Sequence, residues 1–125
     1  MGKKFLIDTN VLIDFQLERL PQNGKRFLVN IIDQAFTISF VTYIEFLGYP
    51  LATAAMENFI KLAGVIQIDK EVIEQTIALC RTKKIKLPDA IIAATVVVHG
   101  YTLISRNMDD FKSIKNLELL NPHEL

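Results

Sequence analysis

The sequence predicts an α/β fold of three layers, α/β/α, with a central and mostly parallel sheet. Short runs of β-branched and aromatic residues alternate with longer segments of helical periodicity along most of the chain. Short connections between such elements are typical of a parallel sheet covered by helices on both faces. No repeat, low-complexity segment or linker interrupts the pattern, so we expect one domain over residues 1–125.

The N-terminal third is predicted to contain one strand followed by two helices. KKFLID, residues 3–8, is a short apolar run that predicts a buried strand. Residues 9–20 have the apolar spacing of a helix, with Asp8 or Thr9 as its N-cap. The turn signal PQNG separates this helix from a second one over residues 25–35.

Two further strands are predicted in the middle of the chain. FTISF is β-branched and aromatic, which favours a strand. Ser39 or Thr42 can cap a short helix around residues 42–48, which Gly and Pro then stop. Residues 51–64 have helical spacing, and the following VIQI predicts the third strand.

Asp69 is the predicted N-cap of a helix over residues 70–84. Its apolar periodicity indicates a face that turns toward the core. The side chains expected on that face are Val72, Ile73, Ile77 and Cys80. A single cysteine cannot form an internal disulfide or a cysteine-pair zinc site, so Cys80 is interpreted as a packed thiol.

The next helix is apolar on every side and should therefore lie in the middle of the domain. From Ala90 to Val98 only Thr95 is polar, and Gly100 closes the segment. Asp89 lies at its first turn, directly after a proline. YTLIS then predicts a strand, NMDDFKSI a short helix, and LELL a last strand or sheet edge.

Acidic residues fall where the predicted strands end. Asp8 ends the first strand, and Asp89 opens the helix before YTLIS. Glu45 lies one helical turn after FTISF, and Thr42 lies one turn before Glu45. Ligands of open parallel sheets bind outside the carboxyl ends of the strands. Three polar residues that follow YTLIS belong to the same edge, namely Ser105, Asn107 and Asp110.

Each acidic residue also has a purely structural interpretation. Asp8 can be an N-cap that contributes about 1 kcal/mol, and Asp89 can complement its helix dipole. Asn107 with Asp110 is typical of a capping box, and Glu45 can be a solvated helix residue. Together, however, several carboxylates at one point repel one another unless a cation neutralises them. Oxygen ligands without His or Cys suit Mg²⁺ or Mn²⁺, and this chemistry indicates hydrolysis of a phosphodiester.

Four segments resemble the motifs of the PIN domain family. FLIDTNVLIDF resembles the first motif, EFLG the second, KLPDAIIAAT the third and TLISRNMDDF the fourth, in the family's order and over nearly the whole chain. Single-domain members of this length resemble the VapC-type toxins of prokaryotic toxin–antitoxin pairs. The resemblance implies a Mg²⁺- or Mn²⁺-dependent endoribonuclease that acts on RNA, forms a homodimer and is inhibited by a small antitoxin protein.

The resemblance also implies a set of site residues. The metal-binding acids would be Asp8, Glu45 and Asp89, and either Asn107, through its amide oxygen, or Asp110 would complete the metal site. The catalytic acids would be Asp8, Glu45, Asp89 and Asp110. Asn107 stands where many relatives have Asp, and a neutral side chain there would weaken metal affinity.

Six further residues are expected to orient the acids or contact the substrate: Thr9, Asn10, Thr42, Ser105, Arg106 and Lys86. Ser105 replaces the usual Thr and retains a hydroxyl for water or phosphate. RTKKIK, residues 81–86, and Arg106 are expected to border the RNA groove, although basic residues at a helix C-terminus are also favourable on their own. Asp14 is expected to be solvated or in an interface.

Composition limits the other possible functions. The formal net charge is zero, which argues against a protein that coats nucleic acid. No apolar run reaches the length of a membrane span and the N-terminus does not resemble a signal peptide, so we expect no membrane association and a cytoplasmic protein.

Three alternatives to a nuclease follow from the same residues. One is an inactive PIN-like domain that binds RNA or a protein partner without cleavage. A receiver domain fits poorly, because it would need a Lys after a later strand and the residues there are Arg106 and Asn107. A haloacid-dehalogenase-like phosphatase would need a second Asp at the position of Asn10.

Overall fold

A five-stranded, wholly parallel sheet forms the centre of the computed structural model, which describes residues 3–125. The strands are β1 (Phe5–Ile7), β2 (Thr37–Ser39), β3 (Gly64–Ile66), β4 (Thr102–Ile104) and β5 (Glu118–Leu120). Their order is β3-β2-β1-β4-β5. The chain adds β2 and β3 on one side of β1 and then adds β4 and β5 on the other side of β1. The topological switch point therefore lies between β1 and β4.

Helices connect every pair of consecutive strands. They are α1 (Thr9–Gln16), α2 (Gln22–Gln34), α3 (Phe40–Leu47), α4 (Ala54–Ile60), α5 (Lys70–Thr82), α6 (Leu87–His99) and α7 (Met108–Phe111). A 3₁₀ turn over Pro122–Glu124, called the C-terminal turn below, follows β5. Within residues 3–125, no helix is long and apolar enough to cross a membrane.

The core has two halves, one on each face of the sheet. Leu6 and Leu103 point to the face covered by α5, α6 and α7, whereas Ile7 and Ile104 point to the face covered by α1, α2 and α4. This division follows from the two-residue period of strand side chains. The predicted three-layer α/β/α fold is confirmed.

The apolar helix α6 is buried as predicted. Ala90, Ile92, Ala93, Ala94 and Val96 are almost completely inaccessible, and they pack in the core half that contains α5. The helix ends where Gly100 adopts the left-handed conformation, with φ 72°, which glycine accepts without steric strain.

The predicted inward face of α5 was wrong in part. Val72 is buried, but Ile73 and Ile77 are 44% and 48% exposed, and Cys80 is an exposed thiol. The buried stripe instead continues through Thr76 and Leu79. Thr76 can be buried because its hydroxyl donates to the Val72 carbonyl at 2.7 Å, which leaves no unsatisfied polar atom in the stripe.

Several boundaries also differ from the prediction. Helix α1 ends at Gln16 instead of residue 20, and α2 already begins at Gln22, within the predicted turn. Helix α4 covers only Ala54–Ile60, because the chain must enter β3 at Gly64, whose N–H donates to the Phe36 carbonyl at 2.8 Å. Of the two predicted caps of α3, Ser39 is the one that accepts from a helix N–H, that of Val41.

Candidate active site

Asp8 lies at the carboxyl end of β1 and is the N-cap of α1, as predicted. Its carboxylate is buried and accepts hydrogen bonds from the Thr9 N–H at 2.8 Å and the Ser105 hydroxyl at 2.8 Å. Burial first, and then the nearby charges of Asp89 and Glu45, nevertheless raise the pKa of Asp8 from 3.8 to about 6. Asp8 is therefore an acid for which the charged form is unfavourable without a cation.

Asn10 joins the ends of β1 and β4. Its amide nitrogen donates to the Asp8 carboxylate at 3.3 Å, and its amide oxygen accepts the Arg106 N–H at 3.3 Å. The same nitrogen lies 3.4 Å from the Ser105 hydroxyl oxygen. These contacts fix the segment after β4 against Asp8, at the topological switch point of the sheet.

Glu45 reaches the same region from α3. The Thr9 hydroxyl donates to its carboxylate at 2.6 Å and lies 3.2 Å from the hydroxyl of Thr42, which is buried. Because a hydroxyl carries a single proton, the shorter contact indicates that Thr9 donates to Glu45. Glu45 itself is exposed, so it remains accessible to water and substrate.

Asp89 occupies the first turn of α6, and its carboxylate is partly buried. Burial raises its pKa, the carboxylates of Asp110 and Glu45 raise it further, and the Lys86 ammonium opposes them. The carboxylates of these residues therefore influence one another electrostatically, although they belong to three different helices. Lys86 is close enough to Asp89 to act on its charge, although it does not line the cleft described below.

Asn107 and Asp110 form a closed pair at the start of α7. The Asn107 amide oxygen accepts the Asp110 N–H at 3.3 Å, and its amide nitrogen donates to the Asp110 carboxylate at 2.9 Å. The Asn107 N–H also donates to the Ser105 hydroxyl oxygen at 3.0 Å. The amide oxygen of Asn107 is therefore used as a helix cap, and the carboxylate of Asp110 is held in place by the same side chain.

A cleft of about 360 Å³ collects most of these side chains. Its lining consists of Asp8, Thr9, Asn10, Ile13, Asp14, Arg19, Glu45, Tyr49, Asp89 and Arg106. A larger pocket of about 470 Å³ opens at the other end of the strands, where they begin, beside Lys4 and Tyr101. The described residues that line this second pocket include no carboxylate, so the acid chemistry belongs to the smaller cleft.

Asp14 was not predicted to belong to the site. It was expected to be solvated or in an interface, but it is 1% exposed and lines the cleft. Its carboxylate contacts Arg106 Nη1 at 3.3 Å and His123 Nε2 at 2.9 Å. The sequence signal for this position is its spacing, because Asp14 lies four residues after Asn10 and therefore on the same face of α1.

The donor set of the cleft consists of carboxylate, hydroxyl and amide oxygens, which suits a hard divalent cation. The raised pKa of buried Asp8 is consistent with such a site, since a cation would favour the charged carboxylate. Over the described part of the chain, however, no three His, Cys, Asp or Glu side chains are close enough together to hold one metal ion.

Comparisons with known proteins give a family and a fold. The sequence model of the PIN domain matches residues 5–117. A toxin–antitoxin complex from Klebsiella pneumoniae contains a chain that is 29% identical, with a TM-score of 0.75 over 98% of this chain and 100% of that one. FitAcB from Neisseria gonorrhoeae is 24% identical and shares the fold, with a TM-score of 0.75 over 97% of this chain and 99% of that one.

A curated relative matches over a shorter stretch. Ribonuclease VapC1 from Rickettsia felis is 53% identical over 32 residues, which are 26% of this chain and 24% of that protein. The match thus spans about a quarter of the relative's length. Because the PIN domain model matches residues 5–117, which is most of the chain, the chain belongs to the PIN domain family.

Proposed function

We propose that this chain is a Mg²⁺- or Mn²⁺-dependent endoribonuclease that hydrolyses RNA phosphodiester bonds as the toxin of a toxin–antitoxin pair. One observation carries the proposal: Asp8, Glu45 and Asp89 come from three separate segments and line one cleft at the carboxyl ends of the strands. Membership of the PIN domain family and the name of the Rickettsia felis relative, a ribonuclease, support the same activity.

Asp8 and Asp89 are the proposed metal ligands. Mg²⁺ in proteins is commonly held by one or two carboxylates and keeps several waters, so a site of this kind does not require three carboxylates in contact with one ion. Glu45 and Asp110 would then act through bound water, and Asn107 through its support of Asp110. When bound, the cation would activate a water as the nucleophile and neutralise charge on the phosphate.

The residues of the chain supply the remaining steps. Glu45 is exposed and its position is fixed by Thr9, so it is the proposed general base that accepts a proton from the attacking water. Arg106 and Lys86 flank the acids and would bind phosphate oxygens of the RNA backbone. Ser105, Asn10 and Thr42 would orient the acids.

We propose an antitoxin protein and a second copy of the chain as protein partners. The related Klebsiella pneumoniae structure is a toxin–antitoxin complex. Ile44, Leu51 and Leu62 are more than 60% exposed, and apolar side chains in such positions favour protein contacts.

A cleavage assay with calorimetry tests the enzyme. The wild type should bind Mn²⁺ and cleave RNA, and excess EDTA should abolish cleavage. Asp8→Asn and Asp89→Asn should lose cleavage and keep the fold, whereas Asp33→Asn, an exposed acid on α2, should behave as the wild type. Full activity in EDTA would contradict the proposal.

A second candidate function is an inactive PIN-like domain that binds RNA or a protein. The observation in its favour is Asn107, whose neutral amide is already engaged by Asp110. This alternative predicts RNA binding that does not depend on Mn²⁺ and no cleavage in its presence.

A further inference from the structure

We propose that Asp14 and His123 are positioning residues for Arg106, so that the C-terminal turn helps to align the arginine that binds the RNA phosphate. This inference rests on the proposed function, in which Arg106 binds a phosphate of the RNA backbone. Asp14 and His123 themselves need not touch the substrate.

The first argument is the environment of Asp14. Its carboxylate is 1% exposed, and a buried carboxylate without partners is strongly unfavourable. Two side chains compensate it: Arg106 Nη1 lies 3.3 Å and His123 Nε2 lies 2.9 Å from the same oxygen, Oδ2. Removal of either partner would therefore leave the other to satisfy the carboxylate alone.

The second argument is the orientation of Arg106. Its backbone N–H donates to Asn10 and its Nη1 contacts Asp14, so both ends of the residue are anchored to α1. Among the described residues no other acceptor bonds its guanidinium, which leaves Nε and Nη2 available for a phosphate. The side chain is half exposed and lines the cleft with Asp8 and Asp89.

The third argument is that the C-terminal turn is itself held in place. The His123 N–H donates to the Asn121 side chain at 2.9 Å. Gly24 of α2 lies so close to Pro122 that a Cβ there would be 2.1 Å from the Pro122 carbonyl oxygen. The turn therefore presents the His123 imidazole to Asp14 in a defined direction.

The test measures the position of Arg106 and RNA cleavage separately. ¹⁵N NMR of the Arg106 Nε–Hε group reports its mobility, and steady-state cleavage of an RNA oligonucleotide in Mn²⁺ reports KM and kcat. In Asp14→Asn we expect a more mobile Arg106 and a KM that rises about three- to tenfold, the effect of ordering one long side chain. We expect kcat and the Mn²⁺ affinity to remain close to those of the wild type, because Asp14 touches neither the metal ligands nor the reacting atoms.

His123 provides a second variant, which keeps the test decisive if Asp14→Asn fails to fold. His123→Ala should shift KM and Arg106 mobility in the same direction, and His123→Gln, which retains a donor, should restore both. The matched control is His99→Gln, since His99 also lies 2.9 Å from a carboxylate, that of Asp69, which has no arginine partner in the part of the chain that the structure describes. This control should change neither readout.

The outcomes separate the two proposals. If the wild type does not cleave RNA in Mn²⁺, the proposed function fails, while the NMR measurement still decides whether Asp14 orders Arg106. If Arg106 remains as rigid in Asp14→Asn and His123→Ala as in His99→Gln, or if KM is unchanged in an active enzyme, the positioning role is overturned.

Discussion

Ser105 and Asp8 are 97 positions apart in the sequence, and their side chains meet in a buried hydrogen bond of 2.8 Å. Ser105 directly follows β4 and Asp8 directly follows β1, and these two strands are neighbours in the sheet. Ser105 also accepts the N–H of Asn107. One hydroxyl thus connects the first acid of the cleft to the segment that carries Asp110.

Ser105→Ala should destabilise the fold and disturb Asp8. The substitution removes the strongest side-chain partner of a buried carboxylate oxygen, and such a loss costs about 1–3 kcal/mol. Urea denaturation near neutral pH in EDTA measures it. Ser105→Thr keeps the hydroxyl and is the matched control; equal stabilities of the Ala and Thr variants would contradict the role of this hydrogen bond.

In the absence of metal, the stability of the fold should decrease as the pH rises from about 4 to about 6. The pKa of Asp8 is raised from 3.8 to about 6 in the folded chain, so the folded state binds more protons than the unfolded state in this interval. The contribution is fully present below pH 3.8 and lost above about 6, and it amounts to roughly 3 kcal/mol at most. Denaturation in EDTA across this range measures the slope.

Asp8→Asn should reduce this pH dependence, because an amide does not titrate, and Asp89, whose pKa is also raised by burial, should account for a remaining slope of the same sign. Asp69 contributes in the opposite sense: its pKa is lowered, mainly by the Val72 N–H, so its stabilisation is present above its unfolded pKa and lost as the pH falls. The difference between wild type and Asp8→Asn isolates the Asp8 contribution from that background. An identical pH slope in both proteins would show that burial of Asp8 does not determine it.

The positions of the main acids could be predicted because they follow from topology alone. Strand ends are visible in the sequence, and a parallel sheet brings Asp8 and Glu45 to one edge whatever the packing details. The Thr9–Glu45 hydrogen bond could not be predicted, because it depends on how α1 and α3 cross. Asp14 was missed for the same reason: only the fold brings Arg106 and His123 to its carboxylate. On α5, the apolar spacing allowed either of two neighbouring helix faces to turn toward the core. The face that is buried includes Thr76, whose hydroxyl must bond to a helix carbonyl for the side chain to be buried.

Asp110→Asn should weaken Mn²⁺ binding. The charge of Asp110 acts on Asp89, whose pKa it raises, and the carboxylate is held by Asn107 at 2.9 Å. Loss of a group that supports the ligands from outside the first coordination sphere commonly costs about tenfold or more in metal affinity. Calorimetric titration with Mn²⁺ measures the change.

Asp109→Asn is the control for that experiment. Asp109 is the preceding residue, its side chain is 95% exposed, and it pairs with Lys112 at 3.6 Å. Both variants remove one negative charge from α7, so a general electrostatic effect would weaken Mn²⁺ binding equally in both. A selective effect of Asp110→Asn assigns the fourth acidic position to Asp110, and equal effects would remove that assignment.

Gly24→Ala distinguishes helix propensity from packing at the C-terminal turn. Gly24 lies in the first turn of α2, where alanine would ordinarily stabilise a helix by up to about 1 kcal/mol. The added Cβ would, however, lie 2.1 Å from the Pro122 carbonyl oxygen, and backbone atoms must move to relieve such overpacking, at a cost of about 1–3 kcal/mol. We therefore expect net destabilisation, measured by urea denaturation, and displacement of His123 from Asp14. Gly64→Ala is the control, because its Cβ would meet its nearest neighbour at 3.7 Å, an ordinary contact.

If the turn and the His123–Asp14 contact are lost together, Gly24→Ala and His123→Ala should destabilise the chain by less in combination than the sum of the two single variants. Additive effects, or a Gly24→Ala variant more stable than the wild type, would mean that the turn does not hold His123 in place.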